Sequence, residues 1–320
     1  MEEKYYDLSA PKKQFSRIGL ALTAILAMST LLELLLQLAV KYAPGFGSFL
    51  KENTWAETIL GMIPMYFIAI PIGLQLLKNL PQKSPAVIPL RPVYFLEYIP
   101  MSLFITYCGS FMGMGLSYLI TGGTAVNPVD AYLQDNNFLK VMGTVVLAPV
   151  VEEYVFRKKI IEHSLPYGEK GAILLSAVCF GLLHRNFFQF FYAAGLGILL
   201  GYIYVRTGKL RYTILLHGII NFMGGVIAPF LAPVAEKAAD PQTMAVTDYL
   251  LILAAGLYAF ALMGLAIFGL VRLVIRCKQL LFIPGREDLP KGKGFMLRFL
   301  NPGMILYTLL CLGLMVLTLY

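Results

Sequence analysis

The sequence predicts an all-α, polytopic integral membrane helical bundle with about eight to nine transmembrane helices. Three observations carry that prediction. Of 320 residues, 58% are hydrophobic and only 14% are charged, against roughly 25% charged in an average soluble domain. Nine apolar runs approach the ~20 residues a helix needs to cross a bilayer. Between them, Lys and Arg rise and fall in alternate loops, as the positive-inside rule requires of a chain that threads back and forth.

The runs cover residues 18–40, 57–77, 96–120, 138–157, 171–184, 187–205, 210–231, 248–275 and 302–320. The first is too long for the apolar core of a signal peptide, so it is expected to be a span and no secretory leader is expected. The fourth need not stop at Phe156; its helix can run on through RKKIIEHSL to about Leu165. The fifth is short: fourteen residues cover about 21 Å of a roughly 30 Å core, so it should span partly or tilt into the bundle. The longest loop, 276–301, is basic, carries Pro284, Gly285 and Pro290, and is too short for a separate domain. One membrane domain over 1–320 is the expectation.

With the N-terminus placed in the cytoplasm, 21 of the 26 Lys and Arg residues fall on inside segments. The +8 charge then describes topology and a lipid bilayer partner rather than nucleic acid. A multi-pass protein of a bacterial plasma membrane is expected. Cys108, Cys179, Cys277 and Cys311 show no paired spacing and read as small buried hydrophobes. Gly109/Gly113 and Gly197/Gly201 have the spacing of close helix contacts. No internal repeat supports an inverted-repeat transporter.

One stretch asks for an explanation: APVVEEYVFRKK, Ala148 to Lys159. A charge at the bilayer centre costs about 2.5–3.5 kcal/mol on insertion scales. Glu153 and Arg157 are four apart on one helical face, the spacing of an ion pair. Glu152 points about 100° away from Glu153. One carboxylate is thus paired and the other left for work, unless both merely snorkel to the interface. Of three histidines, His163 lies in the basic stretch and is expected to be solvated. His184 ends SAVCFGLLH, and His217 shares a helical face with Asn221. Singly, each reads as an interhelical hydrogen-bonding residue; together with the glutamates they gather polar chemistry on three apolar segments.

Two mechanisms stay open at this point. Glu152 can take a proton from water, with His217 and Asn221 donating to the oxyanion formed at a peptide carbonyl. Alternatively, Glu152, His184 and His217 can hold Zn²⁺ and leave a fourth position for water. Other hydrolase patterns are missing: the chain has no HExxH and no GxSxG. Asp130 and Asp135 sit in a polar loop, and Glu33 reads as structural.

The order of motifs resembles the CPBP family, which joins type II CAAX prenyl endopeptidases to bacteriocin-processing and self-immunity proteins. EEYVFR (Glu152–Arg157) matches EExxxR, FGLLH (Phe180–His184) matches FxxxH, and HGIIN (His217–Asn221) matches HxxxN. The resemblance covers a motif-bearing core over 138–227. It implies an intramembrane endopeptidase acting on a membrane-associated peptide or protein, of CAAX or precursor-peptide type. It implies Glu152 as the water-activating base, Glu153 as its partner and Arg157 as structural. His184 would position the water or a metal, and His217 and Asn221 would stabilise the oxyanion or join the water site. The rival readings are a non-catalytic immunity or scaffold protein and a proton-coupled transporter.

Nine simple spans also create a conflict. His184 would lie toward the outer side, while His217 would lie only about 10 Å from the inner surface. A shared site needs the 171–184 helix to enter obliquely or to start below that surface. A water-filled cavity open to the cytoplasm should then hold Glu152, His184 and His217.

Overall fold

The structure is a computed structural model that describes residues 8–128, 137–231, 234, 245–286, 289–290 and 292–319. Asp130 and Asp135 lie outside the described residues. Among the described residues there is no strand, and every apolar run is helical. The helices are α1 (Ser9–Tyr42), the short α2 (Pro44–Glu52), α3 (Thr54–Leu77), α4 (Pro92–Thr121) and α5 (138–164). There follow α6 (Glu169–Leu183), α7 (Phe187–Thr207), α8 (Leu210–Leu231), α9 (Val246–Cys277), the short α10 (Gly294–Phe299) and α11 (Pro302–Leu317). Six of them, α1, α3, α4, α7, α8 and α9, are long and apolar enough to cross a membrane.

Close packing around α6 and α7 sets the frame for the motifs. Alanine at position 197 would bring its Cβ to 2.8 Å from Ala177 Cα, so only glycine lets these two helices approach as they do. Gly201 meets Ile173 and Ile161 in the same seam. Gly109 and Gly113 of α4 sit against the backbone of Tyr192 and of Phe187 and Phe188 on the other side of α7. Both glycine pairs read from the sequence therefore pin one helix. Gly197→Leu should force α6 from α7 and cost about 1–3 kcal/mol or more. A thermal melt in detergent would check this, and an unchanged midpoint would show that the seam is loose.

The basic segments meet at one end of the bundle. Lys83 N–H donates to Glu162 O at 2.9 Å, and Ile88 N–H to Thr207 O at 3.0 Å. Arg206 pairs with Glu169, and Arg276 with Glu97 at 2.7 Å. Arg17 donates to Leu76 O at 2.9 Å, and Arg298 to Tyr167 O at 2.7 Å. At the other end Glu33 pairs with Arg185 at 3.0 Å, so the glutamate read as structural does have a polar partner, from the loop between α6 and α7.

Two expectations need correction. His163 is not solvated: it is buried, with Nδ1 3.0 Å from Pro81 O, because the loop after α3 folds over the end of α5. Of the four cysteines only Cys179 and Cys311 are buried; Cys108 and Cys277 lie on the exposed faces of α4 and α9.

Candidate active site

The site is built on a helix that departs from α geometry. Pro149 of α5 has no N–H and cannot close a normal helical turn. The chain answers with a π-helical turn over Gly143–Leu147, in which Ala148 N–H donates to Gly143 O. In that register the carbonyl of Thr144 falls to Pro149, which has nothing to donate. Asn221 of α8 fills the gap: its Nδ2 donates to Thr144 O at 2.9 Å. The neighbouring Gly218 lies so close to α5 that a Cβ there would come within 2.9 Å of Val145 O. Broken helix and clamp together fix the height of His217 beside the glutamates. Asn221→Ala should leave Thr144 O unpaired and cost about 1–3 kcal/mol. Denaturant unfolding in mixed micelles would measure it, and a loss below a few tenths of that would remove the clamp from this account.

Glu153 and Arg157 form the buried heart of the site, both 0% exposed. The contact is bidentate, with Nε to Oε2 at 2.9 Å and Nη2 to Oε1 at 3.1 Å. Arg157 Nη1 donates to Ser176 Oγ of α6 at 3.0 Å, and that hydroxyl donates onward to Phe156 O at 2.9 Å. The guanidinium also stands 5.0 Å from the centre of the Phe180 ring. His217 Nδ1 faces the same carboxylate, 3.2 Å from Glu153 Oε1. A carboxylate held by arginine can only accept, so His217 Nδ1 carries a proton. Its Nε2 is turned toward Glu152 Oε2, 3.8 Å away.

Glu152 is thus the carboxylate without an arginine, as its position 100° around the helix implies. A void of about 10 Å³ lies against it, lined by Leu22, Ile25, Ile70, Val155, Phe156 and Leu183. Its volume is close to the smallest that admits one water molecule, but its surface is apolar. The expected open cavity holding Glu152, His184 and His217 is not what the structure has. A cavity of about 750 Å³ instead lies along α3, α5 and α8, lined by Tyr66, Val150, Val151, Tyr154 and Ile214 among others, with Lys78 and Lys159 at its rim. It shares one wall residue, Ile70, with the void at Glu152.

His184 joins through Phe180. Both imidazoles stand edge-on to that ring, with centroids 5.0 Å (His184) and 5.6 Å (His217) away. His184 turns back along its own helix, placing Nδ1 2.9 Å from Phe180 O. A carbonyl only accepts, so Nδ1 is the protonated nitrogen and Nε2 of the neutral ring is an acceptor. The next residue, Arg185, takes the left-handed conformation (φ 57°) that ends α6 there.

The structure therefore brings Glu152, Glu153, Arg157, His184 and His217 together and turns Asn221 to the backbone of α5. Sequence reasoning missed Ser176, whose spacing from the motifs carries no periodic signal. It also missed Asn186, Gln189 and Tyr192, where the pattern Asn-x-x-Gln ahead of an apolar run is a helix-start signature. For Zn²⁺ the fit fails: among the described residues no three His, Cys, Asp or Glu side chains form a set able to hold a metal ion.

Residues 134–223 match the family model described as type II CAAX prenyl endopeptidase Rce1-like. Over this segment the chain is similar to that family, as its three motifs suggest. No curated protein and no solved structure matches the chain. The matched segment runs from just before α5 to the end of the HxxxN motif on α8, so it contains every side chain of the cluster described above. The flanking helices α1, α3, α4, α9 and α11 lie outside it and supply walls, including Leu22, Ile25 and Ile70 at Glu152.

Proposed function

We propose that this multi-pass CAAX-protease-like protein hydrolyses a peptide bond of a membrane-associated substrate with a water molecule activated by Glu152. The observation that carries the proposal is the division of labour between adjacent glutamates. Glu153 is bound by arginine and histidine, whereas Glu152 lacks an arginine, lies 3.8 Å from a histidine nitrogen and borders a small apolar void. Glu152 accepts a proton from the water while the water oxygen bonds to the carbonyl carbon, and the carbonyl π pair becomes an oxyanion. His184 Nε2, the accepting nitrogen, orients that water. The proton on Glu152 then passes to the leaving nitrogen as the C–N bond breaks, giving an acid and an amine. Glu153 and Arg157 position His217 rather than meeting substrate.

The void admits no peptide, so a wall must yield. Ile70 is the wall with a large cavity behind it, and it sits where Pro64 and Pro71 interrupt α3. A peptide carrying a prenyl group or another apolar anchor suits that cavity's apolar lining and basic rim. The test is to compare peptide termini in membranes that carry wild type or Glu152→Gln at equal levels. Termini seen with wild type alone support the proposal. Identical sets across a library of prenylated and unprenylated membrane peptides would favour the immunity or scaffold reading.

A further inference from the structure

Tyr192 lies outside the three motifs yet belongs to the cluster. Its ring stands 6.5 Å from that of His184, at 64°. Its backbone is held by the close approach of Gly109, where any side chain would collide with Tyr192 itself. The hydroxyl is held as well: Gln189 Nε2 donates to it at 2.7 Å. Gln189 cannot turn away, because Asn186 Nδ2 donates to its Oε1 at 2.7 Å. Asn186 in turn caps α7 through Gln189 N–H at 2.8 Å and donates to His184 O at 2.8 Å. A phenol that already accepts one hydrogen bond has its own proton to give.

Three other donor protons at the site have prior uses. One amide proton of Asn221 goes to Thr144 O, and the Nδ1 protons of His184 and His217 go to Phe180 O and Glu153. We propose that Tyr192 is a further catalytic residue, whose O–H donates a hydrogen bond to the carbonyl oxygen of the scissile bond as that oxygen becomes an oxyanion. Gln189 is its positioning residue and Asn186 positions Gln189. No proton is transferred in this step; the donor is neutral and in place before charge develops, which is how such a group lowers a barrier. The inference rests on the hydrolase reading above.

The test uses the full chain in proteoliposomes with an internally quenched, farnesylated CAAX-type peptide as probe. Wild type, Glu152→Gln, Tyr192→Phe and Gln189→Leu are compared, with thermal melts to confirm folding. Tyr192→Phe keeps the ring and removes the donor. It should lower kcat about 10²-fold, as loss of one oxyanion donor does, while KM stays within about twofold. Gln189→Leu should lower kcat less, about 3- to 10-fold, again at constant KM. Tyr192→Phe turning over within about threefold of wild type, beside an inert Glu152→Gln, would overturn the role of Tyr192 and leave the hydrolase reading standing. Turnover by wild type no better than Glu152→Gln would overturn that reading, and Tyr192 with it.

Discussion

Arg157→Leu should cost about 3–5 kcal/mol of stability, because it strands the Glu153 charge in a fully buried site. Arg157 is 0% exposed and touches everything that defines the centre of the cluster: the Glu153 carboxylate, the Ser176 hydroxyl and the face of Phe180. Its loss leaves Glu153 with only the His217 proton, takes one bond from Ser176 and opens space beneath Phe180, against which both histidines pack. Arg157→Lys should restore little, since an ammonium cannot make the two parallel bonds to Glu153 or stack on the ring in the same way. The double variant Glu153→Leu, Arg157→Leu removes both charges and should be more stable than Arg157→Leu alone. A double-mutant cycle followed by unfolding in mixed micelles would measure the coupling. A single variant within about 1 kcal/mol of wild type would show that water reaches the pair and that the site is wetter than the packing indicates.

Much of this arrangement was legible in the sequence because it follows from spacing along one helix. Four residues put Arg157 over Glu153, one residue turns Glu152 away, and four residues put Asn221 on the His217 face. The apolar runs are long, and a run of that length has few choices but helix in a bilayer. The parts that were not legible depend on contacts between helices. His163 looks like one more polar residue in a basic stretch, and only the fold of the loop over Pro81 buries it. Asn221 reads as an oxyanion donor by its motif, but its bond to Thr144 follows from a helix broken five residues later by Pro149. Tyr192 escaped because nothing in FFQFFYAAG separates one inward aromatic from its neighbours on α7.

Glu152→Gln should remove cleavage, by about 10²- to 10⁴-fold or to background, while leaving the fold intact. Gln keeps the size of the side chain and its hydrogen bonding but cannot take the proton of the water. Stability should stay within about 1 kcal/mol of wild type: Glu152 has no arginine to abandon, and its histidine neighbour is 3.8 Å away. One residue on, the same change should behave differently. Glu153→Gln leaves the Arg157 cation buried against a neutral amide and frees His217 Nδ1, so it should lose stability and activity together. The pair separates the readings because the residues share a chemistry, a helix and a depth in the membrane and differ only in direction. If the acidic residues served only to hold helices, the buried and doubly bound Glu153 would matter and Glu152 would be replaceable without consequence. If they served as a proton relay for transport, both substitutions would abolish pH-driven uptake and neither would change peptide termini. Loss of cleavage at Glu152 with a native melting curve, beside loss of the fold at Glu153, is the outcome that only a water-activating carboxylate accounts for.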